Sequence, residues 1–269
     1  MSDGGPVLPD YAGACLSNVV TALDQPGRPA PWLPDPVRTA RQVVLVLVDG
    51  LGWLQLAERR HLAPTLAGMA GGPITSVAPT TTATALSSLT LGAPPAAHGV
   101  VGYRVQVGEG SVLNVLRWRT AEGDARQLVP PAAFQPRPAF GGRGPVVTTR
   151  ADFVASGFTL AHLAGTRIRG WKEPSAIAVE VAAALAEGEP FVYAYYDGLD
   201  KVAHDRGFGA YYDAELVHVD RLVADLAAAL PPGAALVVTS DHGQVEVGDR
   251  LVPLPEDVVA PTALVSGEG

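Results

Sequence analysis

Four carboxylates and two imidazoles in this sequence stand where a chain can present them together. Asp49 follows the apolar run Val43 to Val48 and precedes Gly50. Asp197, Asp200 and His204 lie in "YYDGLDKVAH", behind a second apolar run, and Asp241 and His242 close a third, "GAALVVTSDHG". The Asp200 to His204 spacing places both side chains on one side of a helical turn. A mixture of carboxylates and imidazoles suits zinc, or less selectively manganese or another transition ion, better than calcium or magnesium. A fourth stretch, "SVAPTTTATALSSLTLG", supplies hydroxyls. A helix beginning near Thr82 would set that hydroxyl at the positive end of the helix dipole, beside free backbone N–H groups that suit an anion. Threonine is a poor nucleophile at its ordinary pKa, and a neighbouring divalent cation is one way to activate it. Singly, each piece has an ordinary explanation as a turn, a cap or an exposed helical pair. Their joint occurrence at strand ends is what points to chemistry.

The elements that must hold these residues follow from the patterning. "QVVLVLV" is apolar throughout rather than alternating, as central parallel strands are. "GPVVTT", "PFVYAYYD" and "GAALVVTS" read as further strands. "TATALSSLTL", Thr82 to Leu91, reads as a helix ended by Gly92. "EPSAIAVEVAAALAEG" is an alanine-rich helix with Pro174 expected in its first turn. "AYYDAELVHVDRLVADLAAAL" is a long amphipathic helix with Leu216, Val219, Val223, Leu226 and Leu230 on one face. Residues 1–40 form a Pro- and Gly-rich lead-in around one short helix, "CLSNVVTAL". Strands alternating with helices predict an α/β fold, a mostly parallel central sheet with helices on both faces. Residues 1–269 are read as a single domain that includes a small insert or cap at about 104–143, with a hairpin near "VQVGEGSVLNVLRW". In such sheets a ligand site lies beyond the carboxyl ends of the strands, where the acidic residues fall.

Composition narrows the function classes. The 269 residues are 48% hydrophobic and 17% charged, which reads as globular. A net charge of −8 with no basic run argues against nucleic acid or an anionic membrane as partner. Cys15 is the only cysteine, which excludes an intramolecular disulfide and a thiolate cluster. Neither a signal peptide nor an apolar run near the ~20 residues of a membrane span is evident, so the expectation is a cytoplasmic protein. No G-x-S-x-G elbow suggests a serine hydrolase, and Cys15 is not in the C-x-P-x-R context of a sulfatase. His61, His162 and His218 are read as structural, and His98 as support for its turn-rich loop.

Taken as a set, the motifs resemble the alkaline phosphatase superfamily, in particular its nucleotide pyrophosphatase/phosphodiesterase branch. They are Asp49-Gly50, Pro79-Thr80-Thr81-Thr82, Gly92, Pro95-Ala96-Ala97-His98-Gly99, Asp200 to His204, and Asp241-His242-Gly243. The resemblance implies a hydrolase acting on phosphodiester or nucleotide pyrophosphate bonds, with a small phosphorylated molecule, a nucleotide among the candidates, as substrate. It implies two divalent metal ions, zinc foremost: one held by Asp49, Asp241, His242 and the Thr82 hydroxyl, the other by Asp200 and His204. Thr82 would attack phosphorus, and the resulting threonine ester would then be hydrolysed. A phosphomonoesterase of the same superfamily is the alternative within the class.

Two departures stand out. The family uses a further histidine for the second ion, well beyond its "D-H-G", and no histidine follows His242 here. The expectation is a chain that ends ahead of that ligand; the competing reading is a non-catalytic relative that binds one metal or a ligand. At Tyr103 the family carries an asparagine that donates a hydrogen bond to the phosphoryl group, a role a tyrosine hydroxyl can also fill, the alternative being a tyrosine that simply packs.

Overall fold

The structure is a computed structural model that describes residues 6–25, 27, 29–249, 252–264 and 266–267. Among these, nine strands form two sheets. The larger holds β1 (Gln42–Val48), β6 (Val146–Arg150), β7 (Arg167–Trp171), β8 (Phe191–Tyr196) and β9 (Ala234–Thr239), in the order β7-β6-β8-β1-β9. Every pairing in it is parallel. The α/β architecture expected from the patterning is what forms.

The continuous apolar character of β1 has a direct cause. Val43, Leu45 and Leu47 pack into one buried cluster, Val44, Val46 and Val48 into another, so the strand is covered on both faces. Burying each such side chain contributes roughly 1.5–3 kcal/mol. Four helices matter for the site: α1 (Thr82–Leu91), α2 (Ala176–Ala186), α3 (Gly198–Arg206) and α4 (Ala210–Ala228). Helix α1 lies on the first face through Leu86 and Leu89, together with Leu16, Val19 and Val20 of the lead-in. Helices α2 and α4 cover the second face through Val181, Leu216, Val219, Val223 and Leu226. Helix α1 has the boundaries its sequence predicts, stopped by Gly92 in the left-handed conformation (φ 60°). Pro174 falls outside α2, which begins only after Ser175, because turn bonds from Ala176 and Ile177 to the Glu173 and Pro174 carbonyls use up that stretch.

The smaller sheet falls within residues 104–143, the stretch expected as an insert: β2 (Arg104–Val107), β3 (Ser111–Asn114), β4 (Arg119–Thr120) and β5 (Gly123–Asp124), all antiparallel. The expected hairpin is β2–β3. Rather than standing off, it packs down: Leu113, Val115 and Trp118 are buried in the same cluster as Leu45 and Leu47. Trp118 lies so close over Gly157 that a Cβ there would meet its ring at 2.1 Å, which reserves that position for glycine.

Candidate active site

Three adjacent strands deliver the acids. Val48 of β1 is level with Tyr196 of β8, and Leu47 is level with Thr239 of β9. Asp49 therefore lies level with Asp197 on one side and Asp241 on the other, each just beyond the last paired residues. The buried strands act as rigid mounts for these side chains.

Asp49 and Asp241 are 2% and 0% exposed. One oxygen of each is fully engaged. Asp49 Oδ2 accepts from the Tyr195 hydroxyl at 2.5 Å, and Asp241 Oδ1 accepts from the backbone N–H of Gly50 at 3.1 Å and of His242 at 3.0 Å. The other oxygen of each, Asp49 Oδ1 and Asp241 Oδ2, is buried with no hydrogen-bond partner. Both lie 3.4 Å from His242 Nε2. The Thr82 hydroxyl, on the first residue of α1, lies 3.2 Å from the same nitrogen. Four potential ligand atoms thus converge from β1, β9 and α1.

The electrostatics of the cluster favour positive charge beside the acids. Burial pushes the Asp49 carboxyl well above the usual carboxylate range, and the charges of Asp241 and Asp200 push in the same direction. Burial likewise raises the Tyr195 phenol, reinforced by Asp49, so it remains a donor. Buried carboxylate oxygens without partners are costly unless a cation or a proton compensates them. A divalent ion fits this donor set of two carboxylates, one imidazole and one hydroxyl.

Asp200, near the start of α3, joins the group: it, Asp49 and His242 each offer a ligand atom within 4.8 Å of the others. His204 lies one turn on, 3.5 Å from Asp200 Oδ1 but with its side chain 72% exposed, outside that close group. Asp197 is turned elsewhere, into an ion pair with Lys201 and towards Arg150 Nε at 3.9 Å. Tyr103 stands ahead of β2, and its hydroxyl accepts from Asn114 Nδ2 at 2.5 Å.

Among the remaining histidines, His98 supports its loop as expected, its Nδ1 accepting from Val100 N–H at 3.1 Å and its Nε2 2.9 Å from Ser88 Oγ. His162 is buried against Phe158, and His61 and His218 are exposed. A cavity of about 200 Å³ opens beside the cluster, lined by Asp49 and Thr82 together with Leu86, Leu116, Phe153 and Tyr193.

Sequence reasoning missed Tyr195 and Gln244. Tyr195 shares a strand face with Tyr193 and reads as core, although its position just ahead of the acids was a signal. Gln244 Nε2 donates to Asp200 Oδ1 at 2.6 Å, and nothing in its residue type announces that bond.

Comparison with known proteins adds an independent line. The family model for type I phosphodiesterase / nucleotide pyrophosphatase matches residues 43–262. Two solved structures are similar in fold: phosphonoacetate hydrolase from Sinorhizobium meliloti 1021 in complex with phosphonoformate (20% identity, TM-score 0.51) and in complex with phosphonoacetate (19%, 0.51). Each comparison covers 76% of this chain and 57% of that chain, so this chain spans little more than half the length of that relative. At such identity the likeness speaks for the fold alone. No curated protein matches.

Proposed function

Because this chain belongs to the type I phosphodiesterase / nucleotide pyrophosphatase family, we propose that it hydrolyses phosphodiester or nucleotide pyrophosphate bonds with Thr82 as nucleophile and two divalent cations, zinc foremost. The observation that carries the reading is the pair of partnerless buried oxygens, Asp49 Oδ1 and Asp241 Oδ2. They share with the Thr82 hydroxyl a short approach to His242 Nε2. Asp49, Asp241, His242 and Thr82 would hold the first ion, Asp200 and His204 the second. When bound, the ions supply positive charge that acidifies a nearby hydroxyl and compensates charge developing on phosphoryl oxygens.

The chain's own groups supply the rest. Asp49, anchored through Tyr195, and Asp241, anchored through two backbone N–H groups, are fixed before substrate arrives. Thr82 Oγ forms the new bond to phosphorus as the ester oxygen departs with its substituent and takes up a proton. The first intrahelical bond of α1 runs from Ala85 N–H to the Thr81 carbonyl. The N–H groups of Ala83 and Thr84 therefore have no helical acceptor and suit a phosphoryl oxygen. Water then cleaves the threonine–phosphorus bond, returning the hydroxyl and releasing the phosphoryl product. The largely apolar cavity beside Thr82 suits an organic group on the phosphorus.

Thr82→Ala is expected to lower turnover of a nitrophenyl phosphodiester by on the order of 10³-fold or more while circular dichroism stays unchanged. Turnover within tenfold of the parent would rule the nucleophile out. A nitrophenyl phosphomonoester and phosphonoacetate, the ligand of a structural neighbour, complete the assay panel. The exposed position of His204 favours one competing reading, a relative that binds a single ion without catalysis. A zinc stoichiometry of one per chain at saturation would support it.

A further inference from the structure

Resting on the two-cation reading above, we infer that Gln244 is a positioning residue for the second cation. Its carboxamide fixes the Asp200 carboxylate from across the site. Gln244 lies just past Asp241 and His242, in the turn that carries ligands of the first ion, and its side chain reaches over to α3. There Nε2 donates to Asp200 Oδ1 at 2.6 Å. An ionised carboxylate only accepts, so the amide must present its nitrogen and not its oxygen. The backbone carbonyl of Gln244 in turn accepts from Gln55 Nε2 at 3.1 Å, and Gln55 lies on the short helix Trp53–Glu58 that follows β1. Three chain segments are therefore tied at one residue.

The packing below this residue is equally specific. Gly50 adopts φ 72°, and a Cβ at that position would sit 2.8 Å from Gln244 Nε2 and 3.1 Å from the Asp200 side chain. The amide thus fills the space a Gly50 side chain would need, beside Asp200. The need for such a brace is clear from the neighbours. Asp200 has His204 as its only imidazole companion on α3, and that side chain is largely exposed at 3.5 Å. Partners that orient a ligand without touching the metal commonly alter affinity 10–100-fold.

The test reads ion binding site by site. The metal-free chain is titrated with zinc by calorimetry, and with cobalt(II) by visible absorption, for the parent, Gln244→Met and Gln244→Ala. Methionine keeps the length and most of the bulk but cannot donate, so it separates the hydrogen bond from simple packing. The expected result is two ions in the parent. In both variants the first should retain its affinity and the second should weaken 10–100-fold, with thermal melts of the metal-free chains unchanged. Second-ion affinity within twofold of the parent in Gln244→Met overturns the inference and leaves the two-cation reading standing. Equal weakening of both ions also overturns it, as general damage. A parent chain that takes a single ion overturns the two-cation reading and this inference together.

Discussion

Tyr195 shows how much of this site depends on groups that never announce themselves. Its hydroxyl holds Asp49 Oδ2, which leaves Oδ1 bare and aimed at His242. Tyr195→Phe keeps the ring and removes the donor. Zinc affinity at the first position is expected to fall about tenfold by calorimetry, because Asp49 loses its orientation and its carboxylate becomes harder to ionise. Unchanged affinity would show that burial alone positions the acid. At this scale the sequence was legible where a residue type is rare in its setting. A bare acid after six apolar residues, and Asp-His after another strand, both stood out and both came together. Thr82 stood out through the helix start behind it. Tyr195 and Gln244 did not, since an aromatic in a core strand and an amide in a loop are ordinary. His204 was legible by spacing, yet spacing fixes only the side of the helix, and the observed rotamer leaves it mostly in solvent.

Elements were legible where an unbroken apolar run or a clear helical period marks them. β1, β8 and α1 appeared with nearly the limits their patterns imply. β7 went unrecognised, and its composition explains why. Arg167-Ile-Arg-Gly-Trp is an edge strand whose arginines pair outward, Arg167 with Glu189 and Arg169 with Glu187. No hydrophobic period survives that. The short helix Gly157–His162 was also unrecognised. It ends in His162, whose imidazole burial pushes down to about 4, as burial and Arg137 do for His98. Both rings are therefore neutral in the folded chain, and protonation favours the unfolded one. Their contribution is complete above pH 6.5 and declines as pH falls towards 4, by about 1–2 kcal/mol per histidine at pH 5. Urea midpoints of the metal-free parent and of His162→Asn should thus converge as pH drops from 7.5 to 5. Asp49 shifts stability in the opposite direction but is common to both chains, so the difference isolates His162. Parallel profiles would contradict the assignment.

At the scale of the whole molecule, the sheet has unequal margins. β7 closes one side with charged side chains. On the other, β9 pairs with β1 and with no other described strand, and all six of its residues are only half-buried. Its sequence, Ala-Ala-Leu-Val-Val-Thr, carries no charge. Yet β9 leads directly into Asp241 and His242, whose partners in the cluster sit on β1 and α1. An ion bound there would join the least supported strand to the best supported one. Zinc at 100-fold above its dissociation constant is expected to raise stability by about 2.7 kcal/mol. Amide hydrogen exchange should slow most in Ala234–Thr239, and a chelator should reverse both effects. Slowing that is uniform along the chain would argue against this coupling.

Under the proposed function, the pairing of β9 with β1 alone among the described strands would make the metal site a rivet as well as a workplace. With the rivet out, fraying at the rim of the sheet would scatter two of the groups that grip it. Loading and tightening would then be a single event, and loss of the proposed ion would be felt first as looseness of β9.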